Sequence, residues 1–276
     1  MSIFWLIVSF AFGLIIGSFL NVTIYRIPRG ESLFSPGSHC PKCNAPIKWY
    51  DNIPVLSYCL LRGVCRNCKA KISSRYPLVE LLTGSLFALF YFTYFILDKK
   101  PLGVLVIHLI LVSALISASF IDIDHQIIPD RITIGGILIG PVVSLLYPEL
   151  HNGIIFKSAH FASLADSIAG IFVGGGFILI AGLVGKFILK KEAMGFGDVK
   201  LMSMVGAFIG WKLALFANLI APIFGSIVGV PMLLKTKERF KRIPYGPFLS
   251  FGTLVAMLLG NWLITSYLNY LGIRGK

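Results

Sequence analysis

A chain of 276 residues that is 56% hydrophobic and only 13% charged, with a mean hydropathy of +0.83, lies far from a soluble domain, where charged residues alone make up about 25%. Its formal net charge of +13 is not a nucleic-acid footprint, because Lys and Arg sit in blocks between apolar segments rather than along a face interleaved with aromatics. The composition argues against a soluble enzyme and a nucleic-acid binder, and assigns the charge to membrane orientation.

In chain order, apolar runs predict eight spans: 3–25, 77–97, 102–121, 132–147, 164–188, 200–214, 216–234 and 248–270. A span must cross a hydrocarbon core about 30 Å thick. Lys212 interrupts the pair between Lys200 and Leu234. The first run has no basic region before it and no small-residue cleavage site after it, so it reads as a retained helix. The predicted fold class is an all-α polytopic membrane protein of about eight transmembrane helices, with a small cytosolic four-cysteine zinc module between the first and second. The expected organisation is 1–25 first transmembrane helix, 26–76 zinc-binding domain and 77–276 a second transmembrane domain.

Loop charge predicts the topology, since Lys and Arg concentrate in cytosolic loops. Residues 26–76 hold Arg26, Arg29, Lys42, Lys48, Arg62, Arg66, Lys69, Lys71 and Arg75. Lys186, Lys190, Lys191 and Lys200 flank a second loop, and Lys235, Lys237, Arg239, Lys241 and Arg242 form a third. With eight spans all three fall on one side and both termini face outward. The opposite loops carry Lys99 and Lys100 beside Asp98, and Lys157.

The 26–76 segment is rich in Pro and Gly and needs a staple. Cys40-Pro-Lys-Cys43 and Cys65-Arg-Asn-Cys68, separated by 21 residues, have the spacing of a structural zinc site. Two disulfides are the competing reading, but a cytosolic loop is reducing. Cys59 lies outside both knuckles and reads as a small buried hydrophobe. A closed four-thiolate site keeps no open coordination position, so it is scaffolding and the chemistry lies elsewhere.

Only twelve acidic residues exist, and two clusters stand at span ends, where charge near hydrocarbon is expensive. One is Phe120-Ile-Asp122-Ile-Asp124-His-Gln-Ile-Ile-Pro129-Asp130; the other is Gly195-Phe-Gly197-Asp198-Val-Lys200. Two facing carboxyls can share one proton, so that one acts as acid while the other draws a proton from attacking water, which is aspartyl protease chemistry without a metal. Gly195 and Gly197 would admit a substrate backbone beside Asp198 and permit positive φ. The plainer reading has these acids anchoring helix ends or pairing with Lys200, Arg131 and Lys191.

Together these residues resemble the type IV prepilin peptidase family, bifunctional leader peptidases and N-methyltransferases of bacterial pilus and type II secretion systems. Gly17-Ser-Phe-Leu-Asn21-Val-Thr-Ile-Tyr25-Arg26-Ile-Pro28-Arg29 is similar to the family's amino-terminal signature. The CxxC pair, Arg75-Tyr76-Pro77-Leu-Val-Glu80, the IDxDxxxxPD run, GxGDxK and Pro244-Tyr-Gly-Pro247-Phe follow in family order. The resemblance implies that the catalytic aspartates are Asp122, eight positions before Asp130, and Asp198. Asp124 competes for the first role, but two residues along a helix turn it by about 200°.

The resemblance further implies a multi-pass protein of the bacterial inner membrane that removes a short basic leader from a prepilin or pseudopilin on the cytosolic side, then methylates the new amine with S-adenosylmethionine. The family often carries Lys or Arg between the Gly and Cys that open the second knuckle, where this chain has Gly63-Val64-Cys65. A basic loop repels a basic leader, so Glu31, Asp51, Glu80 and Glu192 stand as leader contacts. His39, His108 and His125 read as hydrogen-bonded structural groups. An ion-coupled transporter, whose acids belong near the midplane, and a secretion-system scaffold are the alternatives. The sequence does not indicate an oligomeric state or a site for S-adenosylmethionine.

Overall fold

A computed structural model of the chain describes residues 2–151, 158–190, 194–236 and 244–270. Lys157, Lys191, Glu192, Lys237, Arg239, Lys241 and Arg242, used above for topology and leader contacts, lie outside the described residues. Among the described residues the architecture is helical: α1 Ser2–Arg26, α2 Leu56–Leu60, α3 Arg75–Phe90, α4 Leu102–His125, α5 Asp130–Leu146, α6 Ala159–Leu189, α7 Phe196–Thr236 and α8 Gly246–Tyr270. Six stretches in α1, α3, α4, α6, α7 and α8 are long and apolar enough to cross a membrane. The chain divides into two compact units, residues 1–117 and 118–276, with the boundary inside α4.

In the first unit α1 packs along α3. Arg26 ends α1 and is buried, its guanidinium donating to the carbonyls of Ser32 (2.9 Å) and Pro36 (2.6 Å), so the helix end organises the chain that leads to the cysteines. Beyond Phe90 the helix widens into a π-helical stretch, Tyr91–Leu97.

The second unit is built on α6 against α7, with α5 and α8 on α7. A Cβ on Gly170 would overlap the Gly206 carbonyl, so α6 and α7 approach backbone to backbone, the close packing that small residues permit where helices gain nothing from burying apolar surface.

The expected pair of spans 200–214 and 216–234 is a single run in α7, broken at Gly210, which has φ 75° and ψ 169°. That break is a reversal of the chain. A straight helix of 41 residues would be about 61 Å long. The connection from Thr236 to Gly246 reaches about 36 Å at full extension. Yet Gly225, late in α7, lies against Tyr245, and Asp198, early in α7, acts electrostatically on Tyr245. Both ends of α7 therefore lie together, and, leaving out the five-residue α2, the described residues hold eight helical segments. The break falls before the expected 215 because an apolar run does not reveal where its backbone turns.

His151 packs against this turn: a Cβ on Gly210 would meet its Cδ2 at 2.8 Å, and its Nδ1 lies 3.0 Å from Ser163 Oγ. Burial lowers the His151 pKa to about 4. A depressed histidine pKa adds stability above the unfolded value near 6.5, and that contribution is lost as pH falls toward 4. Melting of the detergent-solubilised protein should show a loss on the order of 2–3 kcal/mol across that window. His151→Gln should flatten it; an unchanged slope in that variant would reject the account.

Candidate functional site

The cysteine segment has almost no core of its own: between Glu31 and Ser74 only Cys40 and Ser57 are buried. What order it has is a repeated turn. In the first knuckle the Cys40 N–H donates to the Ala45 carbonyl (3.0 Å), Asn44 to Cys40 (2.8 Å) and Ile47 to Ser38 (2.9 Å). The second repeats each bond 25 positions on: Cys65 to Ala70 (2.8 Å), Lys69 to Cys65 (3.0 Å) and Ile72 to Gly63 (2.8 Å). The turn residues match as well, with Asn44 at φ 54° and Lys69 at φ 57°.

The two turns aim four thiols at one point. The sulfurs of Cys40, Cys43, Cys65 and Cys68 all lie within 4.8 Å of one another, and this group can hold a metal ion. Cys40 and Cys68 are 3.8 Å apart, far beyond a disulfide at about 2.05 Å. It matches the edge of a tetrahedron with metal–sulfur bonds of about 2.3 Å, which is about 3.8 Å. Backbone N–H groups of Lys42 and Cys43 hold the Cys40 thiol below its ordinary value, and that of Ala45 does the same for Cys43. Against the Ala70 N–H, burial and the other thiols push Cys68 up to about 11. Four sulfurs this close do not all ionise without a cation among them. His39 stands outside the group, 3.0 Å from the Gly37 carbonyl. Cys59 is exposed rather than buried, because α2 buries only Ser57.

In the second unit, α4 ends one turn after Asp122: Gln126 bonds back to the Asp122 carbonyl at 2.9 Å and adopts φ 53°, a left-handed terminator. Pro129 then starts α5 at Asp130. This turn leaves Asp122 buried, 6% exposed, and Asp124 exposed. Asp122 Oδ2 accepts a 2.9 Å hydrogen bond from the N–H of Gly246, the first residue of α8. A helix start leaves such N–H groups without partners in its own helix.

Asp198 occupies the first turn of α7 and is 8% exposed; its Oδ2 accepts from the Gly195 N–H at 3.2 Å, the return half of a capping box. Asp122 is among the charges acting on Asp198, so the two carboxyls share one neighbourhood. Each commits Oδ2 to a backbone N–H, and among the described residues neither Oδ1 has a hydrogen-bond partner. Lys200 does not neutralise the pair: its Nζ lies 2.6 Å from Asp130. Gly195 and Gly197 do not use positive φ as expected. Gly197 instead makes room for Ile128, which a Cβ would meet at 3.1 Å.

Two neighbours lacked a role in the sequence reading. Tyr245 has its pKa pushed up to about 12 by burial and then by the Asp198 charge, so its phenol stays protonated at neutral pH. Gly246 holds Asp122, and a Cβ there would stand 2.8 Å from Asp122 Oδ2. Only the Pro244-Tyr-Gly-Pro247 run signalled them. Gly246→Ala should displace the Asp122 carboxyl and lower turnover about 100-fold without unfolding α8, as read by initial rates and circular dichroism. A rate within a factor of two of wild type would mean that this contact does not position Asp122.

Residues 109–230 match the model of the type IV leader peptidase family, and residues 11–94 match the bacterial peptidase A24 N-terminal domain. The chain is 36% identical to a prepilin leader peptidase/N-methyltransferase of Stutzerimonas stutzeri, covering 94% of this chain and 92% of that one. It is 35% identical to the enzyme of that name from Aeromonas hydrophila, over 96% of both chains. Identity is 39% to a type 4 prepilin-like proteins leader peptide-processing enzyme of Escherichia coli O78:H11, over 90% and 91%. No solved structure matches the chain.

Proposed function

The chain belongs to the type IV leader peptidase family, and from that premise we propose that it cleaves the leader of a prepilin or pseudopilin at the cytosolic face of the bacterial inner membrane, using Asp122 and Asp198. The observation that carries this reading is the meeting of two buried carboxylates, each held by a backbone N–H through Oδ2, with Oδ1 of each left for substrate and water.

In this reaction one carboxyl carries the shared proton. The ionised partner takes a proton from water, whose oxygen attacks the scissile carbonyl carbon, while the protonated one donates to the carbonyl oxygen. The tetrahedral species then breaks its C–N bond, with the proton delivered to the leaving amine. Tyr245, protonated at neutral pH, offers a further O–H beside Asp198.

The 26–76 segment acts as a zinc-binding domain with Cys40, Cys43, Cys65 and Cys68 as ligands, and 77–276 as the peptidase domain behind the first transmembrane helix, 1–25. Zn²⁺ suits four thiolates in a closed, catalytically silent site. The cytosolic placement of both rests on the basic loops. Asp51 is the weaker of the leader contacts, because Arg66 already pairs with it through bonds of 2.6 and 2.7 Å. After cleavage the same chain methylates the new amino terminus with S-adenosylmethionine.

The test is mass spectrometry of a prepilin incubated with the purified chain in proteoliposomes. Removal of the leader, and gain of a methyl group only when S-adenosylmethionine is added, are the expected products. An intact prepilin would overturn the proposal and return the transporter or scaffold reading.

A further inference from the structure

Residues 53–61, Ile-Pro-Val-Leu-Ser-Tyr-Cys-Leu-Leu, form an apolar stretch inside the otherwise polar cysteine segment, with α2 at its centre. Ser57, Tyr58 and Leu61 line the cavity between this segment and the adjoining ends of α1 and α3. Leu56, Cys59 and Leu60 do not; three and four positions apart, they form one stripe and are exposed, Leu60 to 72%. Trp49, in the turn before α2, is 81% exposed. A helix this short is not stable in water by itself, so whatever covers the stripe also holds the helix.

The level of α2 is set by α3. The Asn21 amide on α1 donates to the Tyr76 carbonyl at 3.1 Å, and one turn further in Gly17 meets Glu80, whose Cα would stand 2.7 Å from a Cβ on that glycine. Counted along either helix, Glu80 lies four residues, about 6 Å, inside the level of Tyr76, and the apolar span begins at Arg75. Glu80 accepts from the Val55 N–H at 2.7 Å, and a helical side chain leans toward the start of its helix. Val55, the residue before α2, is therefore held at the rim of the span. Beside Glu80, Leu78, Leu81 and Leu82 are exposed on α3 and face lipid, and the α2 stripe extends that surface.

The backbone here suits a place with little water, where N–H groups need partners from the chain itself. Ile53 donates to Ser57 Oγ (3.0 Å), whose hydroxyl donates to the Tyr50 carbonyl (3.0 Å). Pro54 has no N–H. Leu56 donates to Pro54 (2.6 Å), Ser57 to Ile53 (3.0 Å), Cys59 to Val55 (3.1 Å) and Leu61 to Ser57 (2.9 Å). Val55 turns the chain at φ 61° and ψ −48°, strained for a β-branched residue, and the Glu80 bond holds it there. Lys48 and Arg62, exposed at the two ends of the stretch, are placed to reach headgroup phosphates.

We propose that the cysteine segment is seated on the bilayer through α2. Leu56, Cys59 and Leu60 enter the acyl region of the leaflet at which α1 ends and α3 begins, and Trp49 lies at its headgroups, the level that tryptophan favours. The segment is then fixed to the membrane at three places, α1, α2 and α3, and the knuckles are held at the surface rather than swinging on two helix ends.

The test uses the exposed native thiol. In the zinc-loaded full chain, one copy per nanodisc of phosphatidylcholine and phosphatidylglycerol, Cys59 is labelled with a bimane fluorophore, and Cys59→Ser reports any labelling of the knuckle thiols. The comparison site is Gly37→Cys in the Cys59→Ser background, since residue 37 is exposed and a Cβ there meets nothing within 4 Å. A lipid nitroxide on the fifth acyl carbon should quench the label at 59 at least about threefold more than the label at 37, and aqueous iodide should do the reverse, as for an apolar face sunk about 5–10 Å into the headgroup–acyl boundary. Leu56→Asp with Leu60→Asp should abolish lipid quenching at 59 and raise iodide quenching to that at 37, with zinc content retained as the report of folding. Equal quenching at 59 and 37 would overturn the inference by placing α2 in water. Shielding of 59 from both quenchers would overturn it by placing protein over the stripe. Lipid quenching that persists in the double variant would reject Leu56 and Leu60 as the anchor, and the inference with them.

Discussion

Asp122→Asn and Asp198→Asn should each lower prepilin cleavage by at least about 1,000-fold, while Asp124→Asn stays within about twofold of wild type. A positioned acid or base contributes typically about 10²–10⁴ in rate. Here the same two groups must between them hold one proton, activate the water and protonate the leaving amine, so removing one disables the other. Residues that act as a unit are non-additive. The double variant should therefore be no slower than the slower single variant.

The substitutions are gentle to the fold. The asparagine amide oxygen can still accept the Gly246 or Gly195 N–H that each aspartate accepts, so circular dichroism and melting should be close to wild type. Asp124 is exposed where Asp122 is buried. Initial rates on a purified prepilin in lipid decide the matter. Wild-type turnover in either the 122 or the 198 variant would reject the dyad, and loss of activity in the 124 variant alone would move the first role to Asp124.

The sequence carried the helices well and their closure poorly, for a physical reason. Membrane-crossing length is a local property, so the runs that became α1, α3, α4, α6 and α8 were legible from apolar residues alone. The reversal at Gly210 was not: Ile209 and Trp211 continue the apolar run, and only the backbone angles mark the turn. The knuckles were legible because a four-thiol site is encoded in two short spacings. The resemblance implied Asp122 over Asp124, and helix geometry added only that the two side chains leave the helix in different directions. The Gly246 contact joins residues 124 positions apart, and no local pattern encodes such a distance.

Removal of the metal should produce the second large effect, a collapse of local order from 38 to 72. A segment with two buried residues between Glu31 and Ser74 gains little from apolar burial. Its backbone bonds are short-range turns, each worth only about 1 kcal/mol net. Structural zinc contributes about 10–16 kcal/mol in small zinc domains, enough to dominate both terms. The purified chain should hold one zinc ion, and Cys40→Ser or Cys65→Ser should lose it, whereas Cys59→Ser should keep it. Trypsin should then cut at Lys42, Lys48, Arg66 and Lys69 in the metal-free protein and spare them in the loaded one. A reductant without a chelator should leave the segment protected, because sulfurs 3.8 Å apart are not a disulfide. A Cys65→Ser protein with wild-type zinc content and protease resistance would show that the four thiols are not what holds the segment.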